Sequence, residues 1–417
     1  MIKPGAWYAV VFTLCAKLTL DFFLPARDFD FVVFNGVLLV AALGMRVSLR
    51  MSWRVFSAFV GITLFFLAQV LRTPTDPIGY KLLTMPVLAV VFYNLGRSMS
   101  RLALYRAFSV VLVFFVICFI GNYLLSAALG NLASREFWNF EHANLLGSYV
   151  LVMLIPINYL ATEGGHRRRM TLVKLVFVGI AFMTTSTGAL VLMVPTLVRE
   201  RRASLSRLLL MVASACVVGA CAIALLYQLD KPVFDKIAAP FLLVSGGQWT
   251  QLVRSAQSTS GITQFASDQQ GSFTWRIYAD LVYGFFIASE GRGRLLAGNG
   301  IGGFSQVWNG AMPHNDFILV LVDFGLPFLI LTLAYLIRLL RHVMRYRPQW
   351  LIVVIVLVVR LAFENNIYSY YVLSSGLIFS ALVIGALSRR ERRQPVTHAK
   401  TPGARAGSME VFVHGAR

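Results

Sequence analysis

The sequence predicts an all-α integral membrane protein of about twelve transmembrane helices, with one large loop outside the membrane. Three observations predict it. Of the 417 residues, 58% are hydrophobic and only 13% charged, and the mean hydropathy is +0.71. A soluble domain carries roughly 45–50% apolar and about 25% charged residues, so a soluble enzyme, a secreted disulfide domain and a disordered protein are all excluded. The apolar residues come in long blocks, which does not fit a β-barrel of short alternating segments. The basic residues sit in clusters between those blocks.

The blocks run near Trp7–Phe23, Phe31–Met45, Val55–Leu71, Tyr80–Leu95, Ala107–Leu129 and Ala143–Ala161. A second group follows near Leu172–Thr184, Leu190–Val198, Leu208–Gln228, Phe317–Ile337, Leu351–Phe363 and Tyr370–Leu387. The seventh and eighth are short and meet at Thr184–Ala189, as two tilted spans or a broken pair. No small-residue cleavage site follows the first block, so it is expected to act as an uncleaved signal. Cys15, Cys118, Cys216 and Cys221 lie inside apolar blocks and imply neither a disulfide framework nor a zinc site.

Threading twelve spans puts the arginine clusters on one side. They are Arg46, Arg50 and Arg54, then Arg97, Arg101 and Arg106, then Arg167, Arg168 and Arg169. Arg199, Arg201, Arg202 and Arg207 follow, then Arg338, Arg341, Arg345 and Arg347, then Arg389, Arg390, Arg392 and Arg393 of the tail. The positive-inside rule makes that side the cytoplasm and places both termini there. A net charge of +20 is therefore read as topology, not as nucleic-acid binding. Residues 1–228 would hold nine spans, 229–314 a periplasmic loop, 315–387 three more spans, and 388–417 a disordered basic tail.

A loop of this length is usually functional. Within it, Phe273–Phe286 has the aromatic and apolar spacing of an amphipathic helix lying on the membrane surface. Arg254, Arg276, Arg292 and Arg294 stand where arginine is normally depleted, and arginine forks bind phosphate. Arg276, flanked by Trp275 and Tyr278, is the one placed to face a lipid headgroup or a lipid-borne phosphate. Gly298-Asn299-Gly300-Ile301-Gly302-Gly303 formally contains a dinucleotide-type glycine pattern, but no strand precedes it, so it is read as a tight turn.

The loop ends in His314-Asn315-Asp316 and enters a helix that carries Asp323 and Gly325. His314 can take a proton from a hydroxyl near neutral pH. The plain alternative is a polar helix cap made by Asn315 or Asp316. Asp323, at membrane depth, calls for a basic partner or a polar cavity. Lys17 with Asp21 and Arg360 with Glu364 stand four apart, as helical ion pairs do. Trp138–Asn144 adds a polar cluster at the outer surface.

In this order these residues resemble the bacterial O-antigen polymerase and O-antigen ligase family. The resemblance rests on His314-Asn315, nine residues and then Gly325, with Asp323 just before it. Arg276 with Tyr278, the Gly298–Phe304 turn, Asn144 and Ser186-Thr187-Gly188 occupy the family's upstream places. Ala143 stands where the family has proline, and Thr187 where it has an arginine expected to bind pyrophosphate. The resemblance implies an inner-membrane glycosyltransferase with a fold similar to type C transferases and a donor glycan on undecaprenyl pyrophosphate. It implies His314 as catalytic base, and Arg276, Arg292, Arg294 and Arg360 as candidates for the pyrophosphate. Asn315, Asp323, Asn144 and Glu364 would support them, without metal or cofactor. Membrane lipids, a flippase and chain-length regulators would be partners, and nucleic acid would not. Asp28-Phe29-Asp30, the one formal Asp-x-Asp pair, is read as a solvated turn. The replacement at Thr187 tips the reading to a polymerase over a ligase acting on lipid A–core. A transporter is the third reading, against which the sequence shows no repeated half.

Overall fold

The computed structural model describes residues 6–23, 36, 51–73, 77–131, 137, 140, 143–163, 167–184, 186–197, 249–257, 273–289, 291–306, 313–364 and 366–391. The expected span Leu208–Gln228, all of Phe31–Met45 but Gly36, and the basic tail beyond residue 391 lie outside them. Among the described residues the chain is helical, with no strand beyond an isolated bridge between Phe137 and Phe140. Among the described residues six helices are long and apolar enough to cross a membrane: Val55–Arg72, Ile78–Ser98, Arg101–Ala128, Asn144–Glu163, Leu326–Tyr346 and Tyr370–Ser388. Three shorter apolar helices cover Met170–Met183, Gly188–Leu197 and Pro348–Leu361. This is the architecture of a membrane protein.

The helices are α1 Ala6–Phe23, α2 Trp53–Arg72, α3 Pro77–Ser98, α4 Arg101–Ala128, α5 Ala143–Val152, α6 Leu154–Glu163, α7 Arg167–Met183 and α8 Thr187–Met193. They continue as α9 Trp249–Gln257, α10 Phe273–Ser289, α11 Arg292–Ala297, α12 Asp316–Phe324, α13 Leu326–Tyr346, α14 Leu351–Leu361 and α15 Tyr370–Glu391.

Local chemistry sets their ends. Ser100 caps α4, its hydroxyl accepting from the Ala103 amide at 3.1 Å. The buried face of α4 recurs every three or four residues, from Leu104 through Phe108, Val111 and Phe115 to Asn122, and packs on α1. The sequence suggests one block from Ala143 to Ala161. The structure breaks it at Met153, because Pro156 has no N–H for the Val152 carbonyl. α5 and α6 together form the most enclosed span, with most of its residues buried.

α3 and α15 cross with their backbones in contact. A Cβ on Gly96 would collide with the Leu382 carbonyl, and one on Gly385 with the Tyr93 carbonyl. Glycine allows such approach in lipid, where packing rather than hydrophobicity drives association. The expected ion pair of α1 forms inside the bundle. Lys17 Nζ lies 2.5 Å from Asp21 Oδ2, which also accepts from the Tyr149 hydroxyl of α5 at 2.5 Å. Ser375 of α15 donates to Tyr149 at 2.9 Å, so three helices share this polar knot.

The largest departure from expectation lies after His314. The sequence suggests one span over Phe317–Ile337, whereas the structure holds two helices. Gly325 ends α12 with φ +84°, and Pro327 stands in the first turn of α13. The nine-residue α12 is therefore a separate short helix, and α13 alone has spanning length.

Candidate functional site

α10 carries Arg276 and is fixed by its own core. Tyr278, Ala279, Val282 and Tyr283 are buried against Leu252 and Ala256 of α9, Phe304, and Leu319 and Val322 of α12. The Tyr283 hydroxyl donates to the Phe304 carbonyl at 3.2 Å. Tyr278 and Tyr283 of this helix are thus turned into a protein core.

That core presents Arg276 to the end of α14. Arg276 Nη2 lies 2.6 Å from Glu364 Oε1. Arg360 Nη2, one turn earlier on α14, is 3.7 Å from the same oxygen. His314 Nδ1 lies 3.6 Å from the other carboxylate oxygen, Oε2. Glu364 thus gathers three groups from three stretches of chain, and it is only 5% exposed. Burial alone would push its carboxyl up. Arg360 foremost, with His314 and Arg276, outweighs burial and holds its pKa at about 2, so Glu364 is ionised at neutral pH.

Arg360 is tied on its other side to α5. Its Nε donates to the Ser148 hydroxyl and its Nη2 to the Asn144 carbonyl, both at 2.7 Å. The Asn144 side chain accepts from Ser186, the residue that caps α8, at 3.0 Å. A Cβ on Gly188 would stand 2.9 Å from Arg360 Nη1. The guanidinium of Arg360 therefore lies beside the backbone that follows Thr187, the position where the resemblance leads one to expect an arginine.

The entry to α12 divides its polar residues between two tasks. Asn315 is the cap, its Oδ1 accepting from the amides of Phe317 and Ile318 at 3.0 and 3.4 Å. Its Nδ2 donates to Asp280 Oδ2 at 3.3 Å. Asp316 is no cap for its own helix. It accepts from the Asn366 amide, the Asn366 side chain and the Ile367 amide at 2.9–3.0 Å, which fixes the segment following Glu364. Asp280 stands one turn after Arg276 on α10. Burial pushes its carboxyl up to about 6, against the Asn315 hydrogen bond and the charges of His314 and Arg276.

Asp323 lies in a different place. Its carboxylate accepts from the Gly302 amide at 3.3 Å, the Phe304 amide at 3.2 Å and the Tyr368 hydroxyl. The glycine turn and the Tyr368 hydroxyl hold it. Gly298, Gly300 and Gly302 have φ of +68°, +91° and +76°, which l-residues with a Cβ rarely adopt, so the tight-turn reading holds. Asp323 is a clamp that sets the turn on α12. Arg292 and Arg294 are exposed on α11, which packs on α12 and α13, and neither is joined to Glu364.

The sequence-predicted residues His314, Arg276, Arg360, Glu364 and Asn144 therefore meet, Asn315 borders them, and Asp323, Arg292 and Arg294 do not. Sequence reasoning gave no role to Ser148, Asp280, Asn366 or Tyr368. Ser148 has a usable signal, standing four residues after Asn144 on one helix face. Three buried polar atoms of the site have no hydrogen-bond partner among the described residues: Arg276 Nε, Asp280 Oδ1 and His314 Nδ1. Among the described residues no group of three His, Cys, Asp or Glu side chains could hold a metal ion.

Chemically, the arrangement is a histidine facing a carboxylate that is ionised at neutral pH. A neutral ring in that field carries its proton on Nδ1, which leaves Nε2 as a base. Two guanidiniums, from α10 and α14, face the Glu364 carboxylate, and the Asp280 carboxyl stands one turn from the first of them. No protein-family profile and no curated protein matches this chain.

Proposed function

We propose that this chain is a membrane glycosyltransferase that polymerises glycan repeat units carried on undecaprenyl pyrophosphate, at the outer face of a bacterial inner membrane. The reading takes twelve spans, both termini in the cytoplasm, and α9 to α11 in the outer loop. The observation that carries it is the approach of His314 Nδ1 to 3.6 Å from the buried Glu364 carboxylate, with Arg276 and Arg360 on the same group.

In this mechanism Glu364 orients His314 so that Nε2 meets the acceptor hydroxyl. Nε2 takes the hydroxyl proton as the oxygen attacks the anomeric carbon of the donor. The new C–O bond forms with inversion while the bond to the pyrophosphate oxygen breaks. Undecaprenyl pyrophosphate leaves with its negative charge, and the arginines offset that charge. Arg360 supplies from α14 what Thr187 lacks on α8. Asn144 and Ser148 keep the Arg360 fork in register, and Asp316 holds the segment that carries Glu364.

The test is complementation of a deletion strain, read as the surface-polysaccharide ladder on a gel. His314→Ala should insert at normal levels and lose ~10²–10⁴-fold of product, the usual effect of removing a general base. A normal ladder from a normally expressed variant would remove His314 from the chemistry. Product found on lipid A–core instead of a ladder would mark the ligase.

A further inference from the structure

We propose that Asp280 binds a sugar hydroxyl of the acceptor, next to the hydroxyl that His314 deprotonates. This deepens the proposed function and rests on it. Asn315 fixes the orientation of Asp280. Because Asn315 Oδ1 is committed to the amides of Phe317 and Ile318, its Nδ2 faces Asp280 Oδ2. The other oxygen, Oδ1, is then directed away from Asn315, is buried, and has no partner among the described residues. One turn back on the same helix, Arg276 Nε is buried and equally without one. Residues four apart on a helix face have neighbouring side chains.

This pair selects the ligand. A carboxylate oxygen needs a donor, and a guanidinium N–H needs an acceptor. A hydroxyl is both, and a glycan carries several on adjacent carbons. A phosphate oxygen only accepts, and its charge is repelled by Asp280. The Asp280 side of Arg276 is therefore the acceptor's place, and the pyrophosphate belongs on the side of Arg360. Asn315, next in sequence to His314, links the acceptor's position to that of the base.

The experiment uses full-length purified protein in detergent. The probe is the repeat-unit oligosaccharide released by mild acid from the lipid-linked pool of the native strain. Its binding is measured directly, and turnover is measured separately with the lipid-linked donor. Asp280→Ala should weaken probe binding and raise the acceptor KM about 10–100-fold, the effect of losing one hydrogen bond to a charged group, with the donor KM unchanged. Asp280→Asn keeps an acceptor oxygen and should recover much of the loss. A purely structural role would move both KM values together. Probe binding that is lost with Asp280→Ala supports the site even where the protein shows no transferase turnover, a result that would sink the proposed function alone. Unchanged binding in Asp280→Ala, or no binding to the parent protein, overturns the site even if His314→Ala abolishes transfer.

Discussion

Replacing Glu364 by glutamine removes one charge and keeps the shape. The carboxylate is almost fully buried and faces Arg276 at 2.6 Å, Arg360 at 3.7 Å and His314 at 3.6 Å. Without it, the buried Arg360 and the part-buried Arg276 guanidiniums confront each other across a neutral amide. Two routes give the size of the effect. Breaking a buried ion pair by removing one partner costs about 3–5 kcal/mol. Lowering a carboxyl from its ordinary 4.5 to about 2 is worth roughly 3 kcal/mol, at about 1.4 kcal/mol per pH unit. The sign follows from the direction. A depressed carboxyl stabilises the fold above its unfolded pKa, and the contribution fades as pH falls from 4.5 towards 2. The assay is thermal unfolding of purified parent and Glu364→Gln proteins in detergent, from pH 7 down to the lowest pH both survive. Glu364→Gln should melt well below the parent at pH 7, and the gap should narrow steadily below pH 4.5. A variant that melts with the parent at pH 7, or a gap that stays constant through the acid range, would refute the idea that Glu364 organises the site.

Two further outcomes are expected. Gly188→Ala places a methyl against Arg360 Nη1 and should lower the melting temperature, since overpacking costs about 1–3 kcal/mol, and cut product about tenfold by displacing the fork; an unaltered ladder and melt would separate Arg360 from α8. Arg276→Lys should lose much of what Arg276→Ala loses, because an ammonium is a point charge and not a fork, whereas Arg254→Lys, exposed on α9, should be silent; equal ladders from Arg276→Lys and the parent protein would show that the Arg276 fork is not needed.

The sequence made the helices legible wherever an apolar run was long and had clear ends, as in α2, α3, α4 and α15. It missed the break at Gly325 because the apolar run continues through it; the turn depends on a positive φ that hydropathy does not register. What α10 packs on was not legible either. An aromatic face looks the same whether lipid or protein covers it, and here Leu319 and Val322 of α12 cover it. The site was half legible. His314 announced itself by residue type at a loop-to-helix junction, and Arg360 with Glu364 by helical spacing. The bond between Arg276 and Glu364 joins residues 88 positions apart, a distance over which local patterns carry no information. Asp316 was read as a possible helix cap, and only the packing of the segment after α14 reveals what it holds.

The central claim is that His314 acts as base in a glycosyl transfer whose leaving-group charge is met by arginines. Its most direct measurement is turnover by purified protein reconstituted with the lipid-linked donor, followed as release of undecaprenyl pyrophosphate in the presence of EDTA. The account predicts sustained release by the parent protein, with inverted product, and a ~10²–10⁴-fold loss in His314→Ala. Release that stops on chelation and returns with Mg²⁺ or Mn²⁺, or that continues unchanged in His314→Ala, would contradict it.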